Sequence, residues 1–137
     1  MTTVERPHSP APPRLRPWIA PVVDLVVVLV FVAIGRRSHG EANDASGFLT
    51  TVWPFVAGLA VGAAVTRLYA APLEWRRAVP AWLLTVAVGL ALRIGVVGHE
   101  FKLSFAIVAT TFLGLFLLGW RALVLAVARR RAKAPSA

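Results

Sequence analysis

The sequence SFAIVATTFLGLFLLGWRALVLAVARRR, residues 104–131, decides the fold class of this chain. Between positions 103 and 128 the only charged residue is Arg121. A helix over these 26 residues is roughly 39 Å long, which exceeds the ~30 Å hydrocarbon core of a bilayer. Three consecutive arginines follow it at 129–131. The stretch therefore predicts a transmembrane helix that ends in a basic stop.

The composition of the whole chain agrees with this class. Of its 137 residues, 58% are hydrophobic and only 15% are charged, which is far too apolar for a soluble domain of this size. Cysteine is absent, which excludes disulfides, thiolate metal sites and thiol nucleophiles. We expect an all-α fold, an integral membrane bundle of four transmembrane helices.

The hydropathy pattern divides the chain into tails and spans. Residues 1–16 hold four prolines and three arginines and predict a disordered basic tail. Residues 129–137 predict a second basic tail. The first apolar run is long and lacks a small-residue cleavage pattern, so we interpret it as a retained helix. The transmembrane domain covers 17–128, with spans predicted at about 17–35, 48–71, 80–98 and 103–128.

The positions of the basic residues predict an orientation. A formal charge of +9 is typical of proteins that bind nucleic acid. In this chain, however, most of the basic residues lie in the tails or beside the ends of apolar runs. We therefore expect a lipid bilayer and no nucleic acid. One side of the bundle collects nine Lys and Arg residues and the other three, so the positive-inside rule predicts cytoplasmic N- and C-termini in the plasma membrane.

Small residues in the second span predict helix packing. Gly58 and Gly62 form a small-xxx-small ridge, which lets another helix backbone approach closely. The ridge is typical both of packing inside one bundle and of a dimer interface. We favour packing inside the bundle.

Three ionisable residues lie within the spans near the predicted cytoplasmic side: Asp24, Arg67 and Arg121. Their depths are roughly 10, 6 and 12 Å at 1.5 Å per residue, so they are candidates for one intramembrane polar cluster. We predict that Asp24 pairs with Arg121 or Arg67. The alternatives are an Asp24 carboxylate at a helix N-terminus and arginine side chains that extend to the headgroups.

A second candidate group lies near the opposite membrane surface. Arg93 precedes Glu100 by two helical turns, so both occupy one face. Arg93 can reach outward to Glu100 or His99, or across to the acidic residues at positions 41 and 44. Together with His39 these residues form a candidate outer polar group. Two histidines in separate loops are a weak metal motif, and we expect no metal and no other cofactor.

Four sequence segments resemble a known family. They are GRRSH at 35–39, WPF at 53–55, LTVAVGLALR at 84–93 and SFAIVATTFLGLFLLGWR at 104–121. On these segments the chain resembles the small bacterial and archaeal membrane proteins of domain of unknown function 3054, over about residues 24–121. The resemblance implies four membrane spans. It implies no activity, ligand or site residue.

Catalytic signatures are absent from the sequence, which contains no HExxH, no phosphate-binding loop and no GxSxG. We interpret the chain as a structural or accessory membrane component without enzymatic activity, which acts through a homo-oligomer or a membrane partner. The alternative is a subunit of a small-ion or small-solute transporter or channel, with a polar path lined by Asp24, Arg67, Arg93 and Arg121. A membrane enzyme that uses the outer polar group is the least favoured interpretation.

Overall fold

The computed structural model describes residues 11–38 and 44–135, and this part of the chain contains helices and no strands. Each of its four α-helices is long and apolar enough to cross a membrane. The predicted fold class is therefore confirmed. The helices are α1 (Ile19–Ser38), α2 (Ala45–Thr66), α3 (Trp75–Gly95) and α4 (Leu103–Lys133), and a 3-10 turn, Leu68–Ala70, follows α2.

The ridge of small residues on α2 packs against α3. A Cβ atom added to Gly58 would lie 2.5 Å from the Thr85 carbonyl oxygen, and one added to Gly62 would lie 2.7 Å from that of Ala81. Such distances mean that the two backbones touch with no side chain between them. The ridge is thus used inside the bundle. On α3 the facing small residue Gly89 leaves room for the Phe55 ring.

An apolar core fills the middle of the bundle. Phe31 of α1 meets Phe55 of α2 edge to face, with ring centroids 5.4 Å apart, and Leu113 of α4 is fully buried beside them. Lipid tails are as apolar as the side chains, so burial of apolar surface does little to hold the helices together in a membrane. Close van der Waals packing of aromatic rings and small residues must stabilise the bundle instead.

The first two helices differ from their predicted limits by a few residues. α1 continues to Ser38, with Arg36 and Arg37 in its last turn, where cations are favoured by the helix dipole. α2 begins at Ala45 because the Asp44 carboxylate accepts a hydrogen bond from the Gly47 amide. It ends at Thr66, five residues before the predicted limit, because Arg67 has a left-handed backbone with φ of 52°.

The other two helices also differ from their predicted limits: α3 starts five residues early and ends at Gly95, three residues before the predicted limit of 98, and α4 ends five residues after the predicted limit of 128. α3 begins at Trp75, so Pro80 is inside the helix instead of in its first turn. The amides of Arg77 and Ala78 already bond to the Glu74 carbonyl, and this turn precedes the point where proline removes a donor. α4 continues into the predicted basic tail and ends at Lys133, where basic residues are favoured by the helix dipole.

The helices alternate in direction, which gives the bundle two ends. The Asp24 end contains the start of α1, the α2–α3 connection and the end of α4. The Arg93 end contains the end of α1, the start of α2 and the α3–α4 connection. Of the predicted N-terminal tail, residues 11–16 have no helix or strand, and residues 1–10 lie outside the described part of the chain.

Candidate functional site

A buried ion pair joins α1 to α4 at the Asp24 end. The two terminal nitrogens of Arg121 donate to the two carboxylate oxygens of Asp24, both at 2.7 Å. Asp24 has no exposed surface and Arg121 is 2% exposed. This parallel two-bond geometry is the strongest form of contact between these groups. Of the two predicted partners of Asp24, the structure pairs it with Arg121.

Two further donors form hydrogen bonds to the Asp24 carboxylate. The Trp120 indole nitrogen donates to Oδ1 of Asp24 at 2.9 Å, and the Tyr69 hydroxyl donates to Oδ2 at 3.0 Å. Each oxygen of Asp24 therefore accepts two hydrogen bonds. A carboxylate removed from water retains its charge only with this kind of compensation.

The guanidinium of Arg121 also has further partners. Its Nε donates to the Pro72 carbonyl at 2.7 Å, and Nη1 donates to the Leu117 carbonyl at 2.6 Å. The guanidinium carbon lies 4.5 Å from the centroid of the Trp120 ring. The pair thus connects α1, the α2–α3 connection and α4 in one hydrogen-bonded network.

Tyr69 stays a hydrogen-bond donor throughout the ordinary pH range. Burial raises the pKa of its hydroxyl above the usual value, and the nearby Asp24 carboxylate raises it further. A protonated phenol is the form that can donate to a carboxylate. The Tyr69 hydroxyl is therefore the donor in its hydrogen bond to Asp24.

The space beside the pair is small. A cavity of about 10 Å³, lined by Asp24, Arg121, Thr85 and apolar residues, lies next to it. A single water requires at least about 10–15 Å³ of such volume. The cavity therefore has no room for a chain of waters.

The three predicted members of the polar cluster do not all meet. Asp24 is the sixth residue of α1, past the first turn, so its carboxylate is held by side chains and not by the helix terminus. Arg121 is buried and does not extend to the headgroups. Arg67 is exposed at the C-terminus of α2, where its carbonyl accepts a hydrogen bond from Arg77 at 2.9 Å.

At the Arg93 end the bundle opens into a cleft of about 630 Å³. Its walls combine an apolar part and a polar part. The apolar part includes Phe31, Leu90, Ile94, Phe105, Val108 and Phe112; the polar part includes Arg36, Thr51, Arg93, His99, Glu100, Lys102 and Ser104. This volume falls within the range of small-molecule sites in proteins.

Three of the four residues of the candidate outer polar group lie in the wall of the cleft. Arg93, His99 and Glu100 all line it. The guanidinium of Arg93 lies over the Phe105 ring, 4.5 Å from its centroid, and the His99 amide donates to the Arg93 carbonyl at 3.2 Å. The fourth, His39, lies outside the described residues, as does Glu41.

Asp44 binds a residue other than the one the sequence suggested. Its carboxylate forms an ion pair with Arg36 at 3.2 Å, and Arg36 also donates to the Thr51 hydroxyl. Hydrogen bonds from the Ser46 hydroxyl and the Gly47 amide lower the pKa of Asp44, and the Arg36 charge adds to this. The pair joins the last turn of α1 to the N-cap residue of α2.

No cluster of three or more His, Cys, Asp or Glu side chains occurs within residues 11–38 and 44–135. Of the two histidines that the sequence analysis considered as a weak metal motif, only His99 lies in the described part of the chain.

Several residues of these sites have weak signals in the sequence. Trp120 and Tyr69 have the pattern of residues at a membrane interface, and each lies next to or near an arginine, which is compatible with either location. From the sequence, Arg36 contributes only to the number of basic residues that predicts the orientation of the chain in the membrane. The Pro72 carbonyl is a backbone acceptor, so no side-chain pattern identifies it.

Comparison with known proteins gives one match. The model of a family described as "Protein of unknown function (DUF3054)" matches residues 21–124. No curated protein and no solved structure matches the chain. The matched range contains the ion pair and the lining of the cleft.

Proposed function

This chain belongs to the DUF3054 family of proteins of unknown function, and we propose that it is a structural or accessory component of the plasma membrane. In this proposal it is neither an enzyme nor a transporter, and it acts through association with a second copy or with another membrane protein. The observation that carries the proposal is the closed network around Asp24 and Arg121.

A site that conducts or exchanges ions needs charged groups that can release their partners. Asp24 accepts four hydrogen bonds from within the chain, and Arg121 donates four. The two charges cancel, and the cavity beside them is about 10 Å³, too small for a water chain. Such a pair is suited to holding helices in register.

The polar groups at the two ends are also separated by apolar side chains. The core between them includes Val28, Phe31, Phe55, Leu59 and Leu113, all buried. A path from Arg93 to Asp24 would cross these residues, and a hydrated ion is not stable in such surroundings. This favours an accessory role over conduction through a single chain.

The orientation and the membrane remain part of the proposal. The Asp24 end carries most of the basic residues, including Arg76, Arg77 and the arginines at 129–131. Basic segments resist translocation, which supports cytoplasmic termini in the plasma membrane.

Flux and mass measurements on the full chain test this function. The purified protein is reconstituted into vesicles, and proton, potassium and chloride flux are compared with protein-free vesicles, while native mass spectrometry gives the assembly. We expect no flux above the protein-free level and an assembly whose mass is larger than the 14.7 kDa of one chain. A flux that Asp24→Asn abolishes, or a monomer in detergent and in native membrane, would contradict the proposal.

The cleft favours one second candidate, a subunit of a small-solute transporter. Its volume of about 630 Å³ suits a substrate site facing one side of the membrane. This candidate predicts solute flux in the same vesicles that is lost in Arg93→Gln and retained in Asp24→Asn. The two variants therefore distinguish a path through the bundle from a site at its surface.

A further inference from the structure

The C-terminal part of α4 projects beyond the helix that packs against it. The Trp82 ring of α3 lies beside Gly114 of α4, 2.7 Å from the position of an added Cβ atom. α3 and α4 are antiparallel, so Trp75 and Arg121, which are seven positions from Trp82 and Gly114 respectively, lie at about the same level. Residues 122–133 therefore continue for roughly 18 Å past the start of α3. We call residues 122–133 the projecting segment.

The burial of α4 also changes at Arg121. The buried residues of α4 end at Arg121, and none of residues 122–133 is buried. At the same point the Nε atom of Arg121 donates to the Pro72 carbonyl at 2.7 Å, so α4 passes the α2–α3 connection there. The projecting segment is therefore largely open to its surroundings.

The projecting segment carries charges that the chain does not compensate. At the Asp24 end, the carboxylates within residues 11–38 and 44–135 are those of Asp24 and Glu74, and each is paired with an arginine outside the segment. The basic side chains of the segment are exposed and form no ion pair with this part of the chain. They are Arg129, Arg130, Arg131 and Lys133. Four uncompensated cations on one short segment complement an anionic partner.

One face of the projecting segment combines apolar and basic side chains. Leu123 and Val127 are 65% and 41% exposed. Arg130 and Arg131 follow Val127 by three and four residues, which places them on the same helix face. Along this face the apolar side chains lie nearer the bundle and the guanidinium groups lie further out. An anionic phospholipid has the matching order, with acyl chains toward the centre of the bilayer and phosphate at its surface.

Two other partners fit this face less well. A second copy of the chain in the same orientation would bring two sets of four cations together, and like charges repel. An acidic soluble protein would pair with the arginines. However, Leu123 lies only roughly 3 Å past the level of Trp75, and tryptophan is enriched at the membrane interface. The neighbour of Leu123 at that level is lipid.

We propose that the projecting segment binds anionic phospholipids of the adjacent leaflet. Arg130 and Arg131 contact the lipid phosphates, because the planar guanidinium group donates paired hydrogen bonds to phosphate. Leu123 and Val127 lie against the upper part of the acyl chains. This lipid site goes beyond the proposed accessory function and does not depend on it, because a chain that stays monomeric has the same segment.

Native mass spectrometry of the full chain tests the lipid preference. The protein in detergent is mixed with equal amounts of phosphatidylglycerol, which is anionic, and phosphatidylcholine, which is zwitterionic. We expect about a fivefold preference for the retained anionic lipid, the ratio that corresponds to ~1 kcal/mol for one basic residue near an anionic membrane surface. Equal retention of the two lipids overturns the proposal.

Two double variants separate the projecting segment from a general attraction to basic residues. Arg130→Gln with Arg131→Gln removes two cations from the segment and lowers the preference toward unity. Arg37→Gln with Lys102→Gln removes two exposed cations at the Arg93 end and leaves the preference unaltered. An equal loss of preference in the two double variants contradicts the site. Thermal unfolding of each variant confirms that it folds.

Thiol labelling tests the position of the segment at the membrane. The chain contains no cysteine, so Leu123→Cys and Lys133→Cys each introduce a single thiol. Each variant is reconstituted at a low ratio of protein to lipid in vesicles of phosphatidylglycerol and phosphatidylcholine and treated with a water-soluble maleimide. Leu123 is 65% exposed in the chain, so protection of its thiol comes from lipid.

We expect Leu123→Cys to react about tenfold more slowly than Lys133→Cys, because a thiolate forms poorly in apolar surroundings. Equal rates would mean that the whole segment lies in water, as a docking site for an acidic protein requires. That result would overturn the lipid site and would leave the accessory function unaffected.

Discussion

Within residues 11–38 and 44–135, each end of the bundle contains one arginine–aspartate ion pair, and the two pairs differ in burial, in geometry and in separation along the chain. Arg121 and Asp24 are 2% and 0% exposed and meet through two bonds of 2.7 Å. Arg36 and Asp44 meet through one contact of 3.2 Å, and their side chains are 9% and 53% exposed. The first pair joins residues 97 positions apart in the chain, whereas the second joins residues eight positions apart.

The difference shows that surroundings, and not residue types, decide what an ion pair contributes. The Asp44 carboxylate is 53% exposed, so water can replace its lost partner and Asp44 tolerates the loss of Arg36. Water cannot replace the partner of Arg121, because the pair is buried and the adjacent cavity is about 10 Å³. The buried pair therefore matters most through the penalty for breaking it.

The largest effect is expected when the buried pair is broken on one side. Asp24→Ala leaves the Arg121 guanidinium charged in the bundle, along with two donors from Trp120 and Tyr69. We expect the free energy of unfolding to fall by about 3–5 kcal/mol. Thermal unfolding in detergent and the yield of folded protein measure this change.

Removing the second charge should restore much of this stability. In the double variant Asp24→Ala with Arg121→Met, no buried charge remains, and an apolar replacement of a buried pair is often neutral. The matched control combines Asp24→Ala with Arg67→Met, which removes an exposed arginine and should restore nothing. Recovery in the control, or none in the double variant, would mean that the pair does not stabilise the bundle as described.

An intermediate effect is expected at the α2–α3 contact, which links the two ends. In Gly58→Ala the new Cβ would lie 2.5 Å from the Thr85 carbonyl oxygen, so the backbones must separate. We expect a loss of about 1–3 kcal/mol, as for other overpacked sites. Gly119→Ala is the control, because nothing lies within 4 Å of its added Cβ. Equal unfolding temperatures for the two variants would argue against a close contact of these helices.

The smallest effect is expected at the half-exposed Arg36–Asp44 pair, and it depends on pH. The folded pKa of Asp44 is below its ordinary value of 3.8, first because of the Ser46 hydroxyl. A lowered folded pKa contributes stability that is complete well above pH 3.8 and is lost as the pH falls through the lower, folded value. Asp44→Asn retains a capping acceptor but removes the charge. Its unfolding temperature should therefore lack the part of the decrease at low pH that protonation of Asp44 causes in the wild type.

Comparison of wild type and Asp44→Asn between pH 7 and pH 3 measures this contribution. We expect a difference at pH 7 that is smaller than that of Gly58→Ala and that shrinks at the acidic limit. A difference as large as that of Asp24→Ala would remove the contrast between the two ends.

The sequence predicts the class of the fold better than the limits of its helices. Four apolar runs identify four spans because each must satisfy its own backbone hydrogen bonds in lipid. Their ends depend on local contacts that hydropathy does not contain. Arg67 adopts φ of 52° and ends α2 early, while Trp75 begins α3 before Pro80. Neither feature follows from the average polarity of the segment.

The candidate sites follow the same division. Asp24 is a conspicuous carboxylate within an apolar run, and the cost of an isolated charge in a membrane predicts a partner for it. Two arginines at similar depth satisfy that requirement equally well in the sequence. Only the packing of α1 against α4 brings Arg121, and not Arg67, within 2.7 Å. The acceptor role of the Pro72 carbonyl also depends on that packing.

What the sequence by itself determines about this protein is that it is a membrane protein. Of its residues, 58% are hydrophobic, and its four apolar runs are long enough to cross a bilayer. Tertiary structure alone decides which polar groups meet, because helix rotation and register set the contacts and small residues allow several arrangements. The closed pair at one end and the cleft of about 630 Å³ at the other are therefore properties of the packing. The pair forms because an isolated charge in lipid is costly, and helix packing decides which opposite charge is within reach.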